Sequence, residues 1–368
     1  MRIGLIAPDL STQNGWATYS LNLIRQLRAR GIVTTTVCAR NSPAVDFETH
    51  PLLPSVTPPE RHTFIKSLRL IPRVTRLLRE CDLVHSTVEP YAILAATVAG
   101  GRPLFVTAHG SYVNLPRMRP FPAGNLYRWA FERARLICVS RYTAQVAREL
   151  MPGARFEVIS NGVDVARFLE PPALPVEKRG PTVITAGGIK PRKGTLQLVE
   201  AIAVLRERLP QIQCLIMGNP QRGSAYSALV ERRIDELGLR DHVQILGFVD
   251  DERMRALFAA ADVFALPAMN DGLWFEGFGL VLVEAGAAGT AVVGTDGCGV
   301  ADAIEHGETG LVVSQANITE ELPRALLELL RNPALAAQFG AAGRRRAQAK
   351  SWSSVADKVI DLYQQALD

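Results

Sequence analysis

The chain has 368 residues, 48% of them hydrophobic and 21% charged. That length predicts two domains rather than one core, and the apolar share excludes a disordered chain. Apolar runs are too short to span a bilayer, MRIGLIAPDL suits a buried first strand rather than a signal peptide, and five scattered cysteines without a CxxC pair suit reduced thiols, so a cytoplasmic protein is expected.

Short β-rich runs then alternate with amphipathic stretches. RIGLIA, IVTTTVCA, DLVHST, PLFVTA and RLICVS are predicted strands, with helices over 17–30, 64–80 and 141–150 between them. The rhythm breaks at Phe168-Leu-Glu-Pro-Pro-Ala-Leu-Pro-Val, whose prolines suit an extended linker. It restarts with TVITAG, QCLIMG, HVQILG, DVFALP, TAVVGT and GLVVS, separated by helices near 194–208, 224–237, 251–260, 280–288 and 320–330. Strand–helix alternation of this kind predicts an α/β protein of two doubly wound, Rossmann-like domains with a cleft between them, ligands binding at the carboxyl ends of the strands. A last amphipathic helix, Trp352 to Leu367, could pack on either domain from its pattern alone.

Charge is divided unevenly. Residues 1–168 carry 21 Lys+Arg against 11 Asp+Glu, whereas the remainder carries 20 against 25. A basic half suggests a face that meets phosphates or phospholipid head groups. Its densest stretch is 61–80, RHTFIKSLRLIPRVTRLLRE, in which apolar residues interleave with cations and Pro72 is expected to kink or split the helix. An interfacial helix on anionic lipid and an ordinary solvated basic face both fit this stretch.

Three motifs stand at strand ends and a fourth reads as a turn. Gly187-Gly188-Ile-Lys190-Pro-Arg192-Lys193-Gly194 follows a strand and precedes a helix; its glycines allow close backbone approach and its cations suit phosphate. It lacks Walker A spacing, and no GxGxxG follows the first strand, which argues against an ordinary dinucleotide oxidoreductase. Asn14-Gly15 occupies the first strand-to-helix loop, and Ser160-Asn161-Gly162-Val163-Asp164 has the composition of a turn, with Asn-Gly expected to supply a left-handed residue. His109-Gly110 ends the strand LFVTA, facing the expected cleft, although a lone histidine is more often structural. The histidines show no HExxH-type spacing, so no protein-bound metal is expected.

The most informative run is Glu276-Gly-Phe-Gly-Leu-Val-Leu-Val-Glu284. A helix starting near Gly279 would aim free N–H groups at an anion beside the turn, with one carboxylate before it and another about one and a half turns inside it. A phosphate with a sugar on each side fits that arrangement.

Taken together, Asn14-Gly15, His109-Gly110, VISNGVDVARF, GGIKPRKGT, HVQILGFVDD, DVFALPA, EGFGLVLVEAGAAGTAVV and GETGLVV occur in one order over nearly the whole chain. This set resembles glycosyltransferase family 4, a group of retaining, nucleotide-sugar-dependent enzymes with the GT-B fold. The resemblance implies that Glu284 accepts hydrogen bonds from the ribose and that Glu276 holds the donor sugar. It implies that Gly277, Phe278, Gly279 and Leu280 present backbone N–H groups to the sugar and diphosphate, and that Lys193 binds phosphate. Val249 would lie near the base, His109 beside the reacting sugar carbon, and Gly15 under the phosphates and near the acceptor.

Three positions depart from the family pattern. Its usual Gly-Arg is Gly187-Gly188 here, so Arg192 or Lys190 is expected to substitute; its first-loop Gly-Gly is Asn14-Gly15; its His-Asp is His109-Gly110. In the resembling fold the C-terminal helix returns to the first domain, so the expected domains are 1–168 with 352–368, on the acceptor side, and 169–351, binding the donor.

The expected function is metal-independent, retaining transfer of a hexose-type sugar from a nucleotide-diphosphate sugar to a hydroxyl of a glycolipid, polysaccharide or lipid-linked precursor. No cofactor and no nucleic-acid partner are expected, and the protein would sit in the cytoplasm or peripherally on the inner face of the membrane through 61–80. A soluble small-molecule acceptor, a catalytically silent sugar-nucleotide-binding partner of another transferase, and an epimerase or phosphorylase of the same fold are the competing readings. The glutamate run and the lack of a signature for a pyridoxal-phosphate lysine weigh against the epimerase and the phosphorylase.

Overall fold

The computed structural model describes residues 1–170, 172, 174–220 and 224–368. Among them the strands form two all-parallel sheets. In the first, β1 (Arg2–Ile6), β2 (Val33–Ala39), β3 (His50–Leu53), β4 (Leu83–Ser86), β5 (Leu104–Ala108), β6 (Arg135–Cys138) and β7 (Arg155–Val158) lie in the order β3-β2-β1-β4-β5-β6-β7. In the second, β8 (Thr182–Ala186), β9 (Gln213–Met217), β10 (Val243–Gly247), β11 (Val263–Leu266), β12 (Ala291–Thr295) and β13 (Gly310–Val313) lie in the order β10-β9-β8-β11-β12-β13. The order reverses direction between β1 and β4 and again between β8 and β11, the positions where doubly wound sheets leave room for ligands at their carboxyl ends.

Helices cover the sheets, so the central strands are apolar on both faces: β5, β8, β11 and β12 are buried throughout. One core gathers Ile3, Leu5, Leu23, Phe105, Ile137, Val359 and Tyr363; the other gathers Val183, Ile202, Cys214, Val263, Val293 and Leu326. All five cysteines are free and buried within this packing. Several helices start where a side-chain oxygen takes up an orphan amide. Asn14 accepts from the N–H of Ala17 at 3.0 Å before the helix Gly15–Ala29, and Asp250 accepts from Arg253 at 2.8 Å before Asp251–Ala260.

The chain separates into two compact units, Met1–Gly162 with Trp352–Asp368, and Val163–Ser351. Residues 163–168, expected in the first domain, stand in the second because Phe168 is buried against Phe258 with ring centroids 6.2 Å apart. Of the expected linker, Pro171 and Ala173 lie outside the described residues. The helix Trp352–Leu367 packs on the first sheet: Tyr363 meets Phe105 edge-on at 4.9 Å and its hydroxyl lies 2.5 Å from Nδ1 of His85.

Other expectations change in detail. The 64–80 stretch is split, into Thr63–Leu68 and Ile71–Leu77, with Pro72 in the first turn of the second helix, where its missing N–H costs nothing. Neither Asn161 nor Gly162 has a positive φ. Glycine is needed at 162 for another reason: a Cβ there would lie 2.8 Å from the backbone nitrogen of Trp352. Ala92–Ala99 and Pro333–Ala349 are helices that the sequence pattern does not announce. The first is apolar on every side, so it carries no 3.6-residue contrast.

Candidate functional site

The turn after β8 is the basic one. Gly187 has φ 116°, and a Cβ there would sit 2.9 Å from Cε of Lys193, so its bareness lets the lysine lie along the backbone. The Lys193 and Glu276 side chains are only 11% and 12% exposed, and Nζ of Lys193 stands 3.0 Å from Oε2 of Glu276. The Arg192 guanidinium pairs with the same carboxylate oxygen.

Burial opposes the charge on Glu276, but Lys193 and Arg192 together hold its carboxyl down at about 2. Lys193 is displaced downward because burial and the neighbouring Arg192 and Lys190 outweigh the single carboxylate. Lys190 is lowered in the same way, by burial and by Arg192. Lys193 and Arg192 on one carboxylate, with exposed Lys190 beside them, leave a positive excess at this turn, which suits a di-anion. The family's usual Arg after Gly187 is absent, but the two candidates to replace it, Lys190 and Arg192, are both in this cluster.

The glutamate run supplies the other wall. Gly279 is left-handed at φ 78° and begins the helix Leu280–Ala288, whose start carries no side-chain cap. Its first amides are therefore available to an anion. The Phe278 ring is buried, with the Lys350 ammonium 5.6 Å from its centroid, so only backbone of Gly277, Phe278 and Gly279 can serve a ligand there. Glu284 stands apart from the cation cluster. Its carboxylate accepts no hydrogen bond among the described residues, and burial pushes it up to about 7 against the pull of Arg167. Arg167 is held by Asp251, and Asp251 raises Glu284 further.

Val249 is half-buried beyond β10. It joins the same rim through successive turns: Gly247 bridges Gly218, and a Cβ on Gly218 would lie 2.5 Å from Cα of Gly188. Beside it Phe248 is 72% exposed, a side chain the sequence reading did not single out.

The remaining predicted residues belong to the first unit. Gly15 opens the helix after β1, and a Cβ built on it meets nothing within 4 Å, so its bareness leaves open space. Asn14, where the family usually has glycine, is the cap of that helix. His109 follows β5. Its Nε2 lies 2.8 Å from the carbonyl oxygen of Thr87, which can only accept, so Nε2 carries the hydrogen and Nδ1 is the bare nitrogen. Burial pushes the imidazole down to about 4 despite that hydrogen bond, so it is neutral at pH 7. Tyr19 meets it edge-on at 4.8 Å and Trp16 stands 6.3 Å away.

Glu89 is the residue that sequence reasoning missed. It follows β4 at the point where the first sheet reverses, and it is fully buried. Its Oε1 accepts the backbone N–H of His109 at 2.6 Å, and the N–H of Gly110 also reaches the carboxylate. Oε2 is buried without a partner. Desolvation raises the carboxyl to about 8 in spite of those amides. The only sequence signal was a carboxylate between an apolar strand and a proline, which is too common to select.

The family described as Glycosyltransferase Family 4 matches residues 13–167, and that described as Glycosyl transferases group 1 matches residues 167–346. Among characterised relatives, the GDP-mannose-dependent alpha-(1-6)-phosphatidylinositol monomannoside mannosyltransferase of Mycobacterium tuberculosis is 32% identical over 306 residues, 79% of this chain and 78% of that protein. The phosphatidyl-myo-inositol mannosyltransferase of Mycobacterium leprae is 31% identical over 376 residues, 99% of this chain and 96% of that one. Among solved structures, a sucrose-phosphate synthase from Thermosynechococcus elongatus superposes with a TM-score of 0.83 at 24% identity, covering 99% and 98% of the two chains. Anabaena HepE in complex with UDP gives 0.78 at 19% identity, covering 99% of this chain and 100% of that one. These structures show the fold, GT-B. By its profile matches and its relatives the chain belongs to glycosyltransferase family 4 and is a glycosyltransferase.

Proposed function

We propose that this enzyme moves a mannose-type hexose from a nucleoside-diphosphate sugar, GDP-mannose first among candidates, to a hydroxyl of a phosphatidylinositol-type glycolipid. The relatives named above act with those chemistries. The observation that carries the donor half is the nearly buried pair of Lys193 and Glu276 with Arg192 on the same carboxylate oxygen.

Negative charge grows on the diphosphate as the sugar leaves. Arg192, Lys193 and the first amides of the helix Leu280–Ala288 are fixed donors for it, and removing one such donor costs about 3–4 kcal/mol of transition-state stabilisation in comparable sites. The cations supply the neutralisation that a divalent ion provides elsewhere, so the reaction is proposed to proceed without metal or other cofactor. Once its two cations turn to the phosphates, Glu276 is released to hold sugar hydroxyls, and Glu284 accepts from the ribose. Val249 is assigned to the base.

In the first unit the proposal gives His109 to the transferred sugar, with neutral Nδ1 as an acceptor, and Gly15 to the phosphates and acceptor. The departing phosphate takes the acceptor's proton on the face it leaves, so the anomeric configuration is kept. Among the described residues no helix is long and apolar enough to cross a membrane. Access to a lipid acceptor is therefore assigned to peripheral contact through 61–80, on the cytoplasmic face.

Purified enzyme incubated with UDP-, GDP-, ADP- and dTDP-sugars and a phosphatidylinositol acceptor tests this directly. The expected result is GDP-mannose consumption undiminished by EDTA, with an α-linked product by NMR. Donor binding without turnover on any acceptor would return the silent-partner reading, and an inverted product or an EDTA-abolished rate would overturn the mechanism.

A further inference from the structure

Between β11 and the glutamate run the chain folds back on itself. The backbone N–H of Asp271 donates to the carbonyl of Trp274 at 2.8 Å, and that of Trp274 donates back to the carbonyl of Asp271 at 2.9 Å. Residues that exchange both bonds are a directly opposed antiparallel pair, so their side chains stand on one face of the turn. Gly272 takes φ 58° at the first central position, where a two-residue loop favours glycine. The stem below is fixed on two sides. The N–H of Met269 donates to the carbonyl of Arg192 at 3.2 Å, and Nδ2 of Asn270 donates to that of Gly297 at 2.7 Å.

This rigid turn presents an indole and a carboxylate. Trp274 is 42% exposed, although tryptophan is highly buried on average. Asp271 is exposed and pairs with no cation among the described residues. Trp274 stands two residues before Glu276, so their Cα atoms are at most about 7 Å apart. Only the buried Phe275 lies between them.

An aromatic face beside an anionic acceptor repels phosphate and suits a neutral polyol ring. The C–H face of such a ring covers the indole, and its hydroxyls donate to the carboxylate. Along the chain the order is then the amides of 277–280 for the diphosphate, Glu276 for the transferred hexose and, next beyond it, this turn.

We propose, on the glycolipid-acceptor reading, that the turn Asp271–Trp274 receives the neutral ring of the acceptor, a cyclitol or a sugar, with Trp274 against the ring face and Asp271 accepting from its hydroxyls. The enzyme thereby selects ring-bearing head groups over open-chain ones, because a glycerol hydroxyl offers no ring face to the indole.

The test is steady-state transfer by the intact enzyme, with the sugar nucleotide it consumes, to three detergent-solubilised lipids. These are phosphatidylinositol, glucosyl diacylglycerol and phosphatidylglycerol, the last a hydroxyl-bearing head group without a ring. Wild type should use a ring-bearing lipid and leave phosphatidylglycerol. Trp274→Ala should raise the KM for that lipid about tenfold while the KM for donor holds, and Trp274→Phe should recover most of the loss. Asp271→Asn should raise the same KM about fivefold. Circular dichroism and Tm report on folding; should Trp274→Ala not fold, Asp271→Asn, at the exposed tip, decides by the same comparison.

Transfer to glucosyl diacylglycerol and not to phosphatidylinositol, with the tryptophan effect present, supports the turn's role and overturns the phosphatidylinositol reading. An acceptor KM unmoved in folded Trp274→Ala, or a donor KM that rises in its place, overturns the turn's role and leaves the transfer reading standing. Efficient use of phosphatidylglycerol does the same. Transfer to none of the three lipids overturns both.

Discussion

The backbone N–H of His109 donates to Oε1 of Glu89 at 2.6 Å, so a carboxyl at the end of β4 fixes the loop that begins at the end of β5. Two strands adjacent in the sheet are thereby joined beyond their last ladder bonds, at the reversal of strand order. Glu89 touches the histidine's amide rather than its ring, so it acts by positioning.

Its titration gives the first prediction. The carboxyl stands at about 8 in the folded protein, against an ordinary value of 4.5. Between those values the folded chain holds a proton that the unfolded chain has released, so wild-type stability falls as pH rises through that window. Glu89→Gln removes the titration and keeps one acceptor oxygen. Urea melts from pH 5 to pH 8 should show the variant gaining on wild type as pH rises; a constant difference would mean that Glu89 titrates normally. Glu89→Ala should lose the loop's anchor and lower kcat at every pH.

Glu276 neutralises the nearly buried Lys193 and the partly exposed Arg192, so its loss has a stability cost as well as a catalytic one. Glu276→Gln should lower Tm by several degrees, since breaking a buried pair costs about 3–5 kcal/mol at most. Nucleotide diphosphate should then stabilise the variant more than wild type, because its phosphates replace the missing charge. Transfer should fall about a hundredfold or more with nucleotide binding largely spared. Thermal shift with and without GDP, beside initial rates, separates these effects, and intact transfer with lost GDP binding would remove Glu276 from the sugar.

Glu284 stands at about 7. If its ionised form accepts from the ribose, raising pH from 6 to 8 should tighten nucleotide binding about tenfold, as the ionised fraction grows. Glu284→Gln should bind weakly and without that slope. Isothermal titration with GDP at three pH values decides it; a wild-type affinity flat across the range contradicts the ribose role.

Gly194 ends the basic turn at φ 65°, and a Cβ there would lie 1.7 Å from the carbonyl oxygen of Pro267 at the end of β11. Gly194→Ala must push the turn off that strand end. It should destabilise the second unit by about 2 kcal/mol or more and raise the KM for donor. Gly15→Ala, where nothing stands within 4 Å, is the contrast: stability unchanged, with any loss confined to ligand binding.

How much of this was legible follows from the range of the interactions. The strand–helix alternation is local, because a parallel strand buried on both faces must be apolar along its length. The start of the helix at Leu280 was legible too: a glycine before an apolar run marks it, and Gly279 adopts the left-handed conformation only cheap for glycine. Where burial was uniform the pattern failed, as in the helix Ala92–Ala99, and where an edge strand is only four residues long, as in β3 and β7, there was too little of it to see.

The motifs themselves, from Asn14-Gly15 to GETGLVV, were enough to identify the family, since each is a contiguous run whose residues act through local backbone geometry. What no run could contain was partnership. Arg192 meets Glu276 across 84 residues, His85 meets Tyr363 across 278, and Glu89 meets the amide of His109 across 20. Those pairings set protonation states, because desolvation and the nearest charge depend on which distant segment packs alongside. The sequence by itself determined the elements and the residue types at the strand ends. Tertiary structure decided which carboxylate is ionised, which is held neutral by burial, and which glycines stand where another chain segment leaves no room for a side chain.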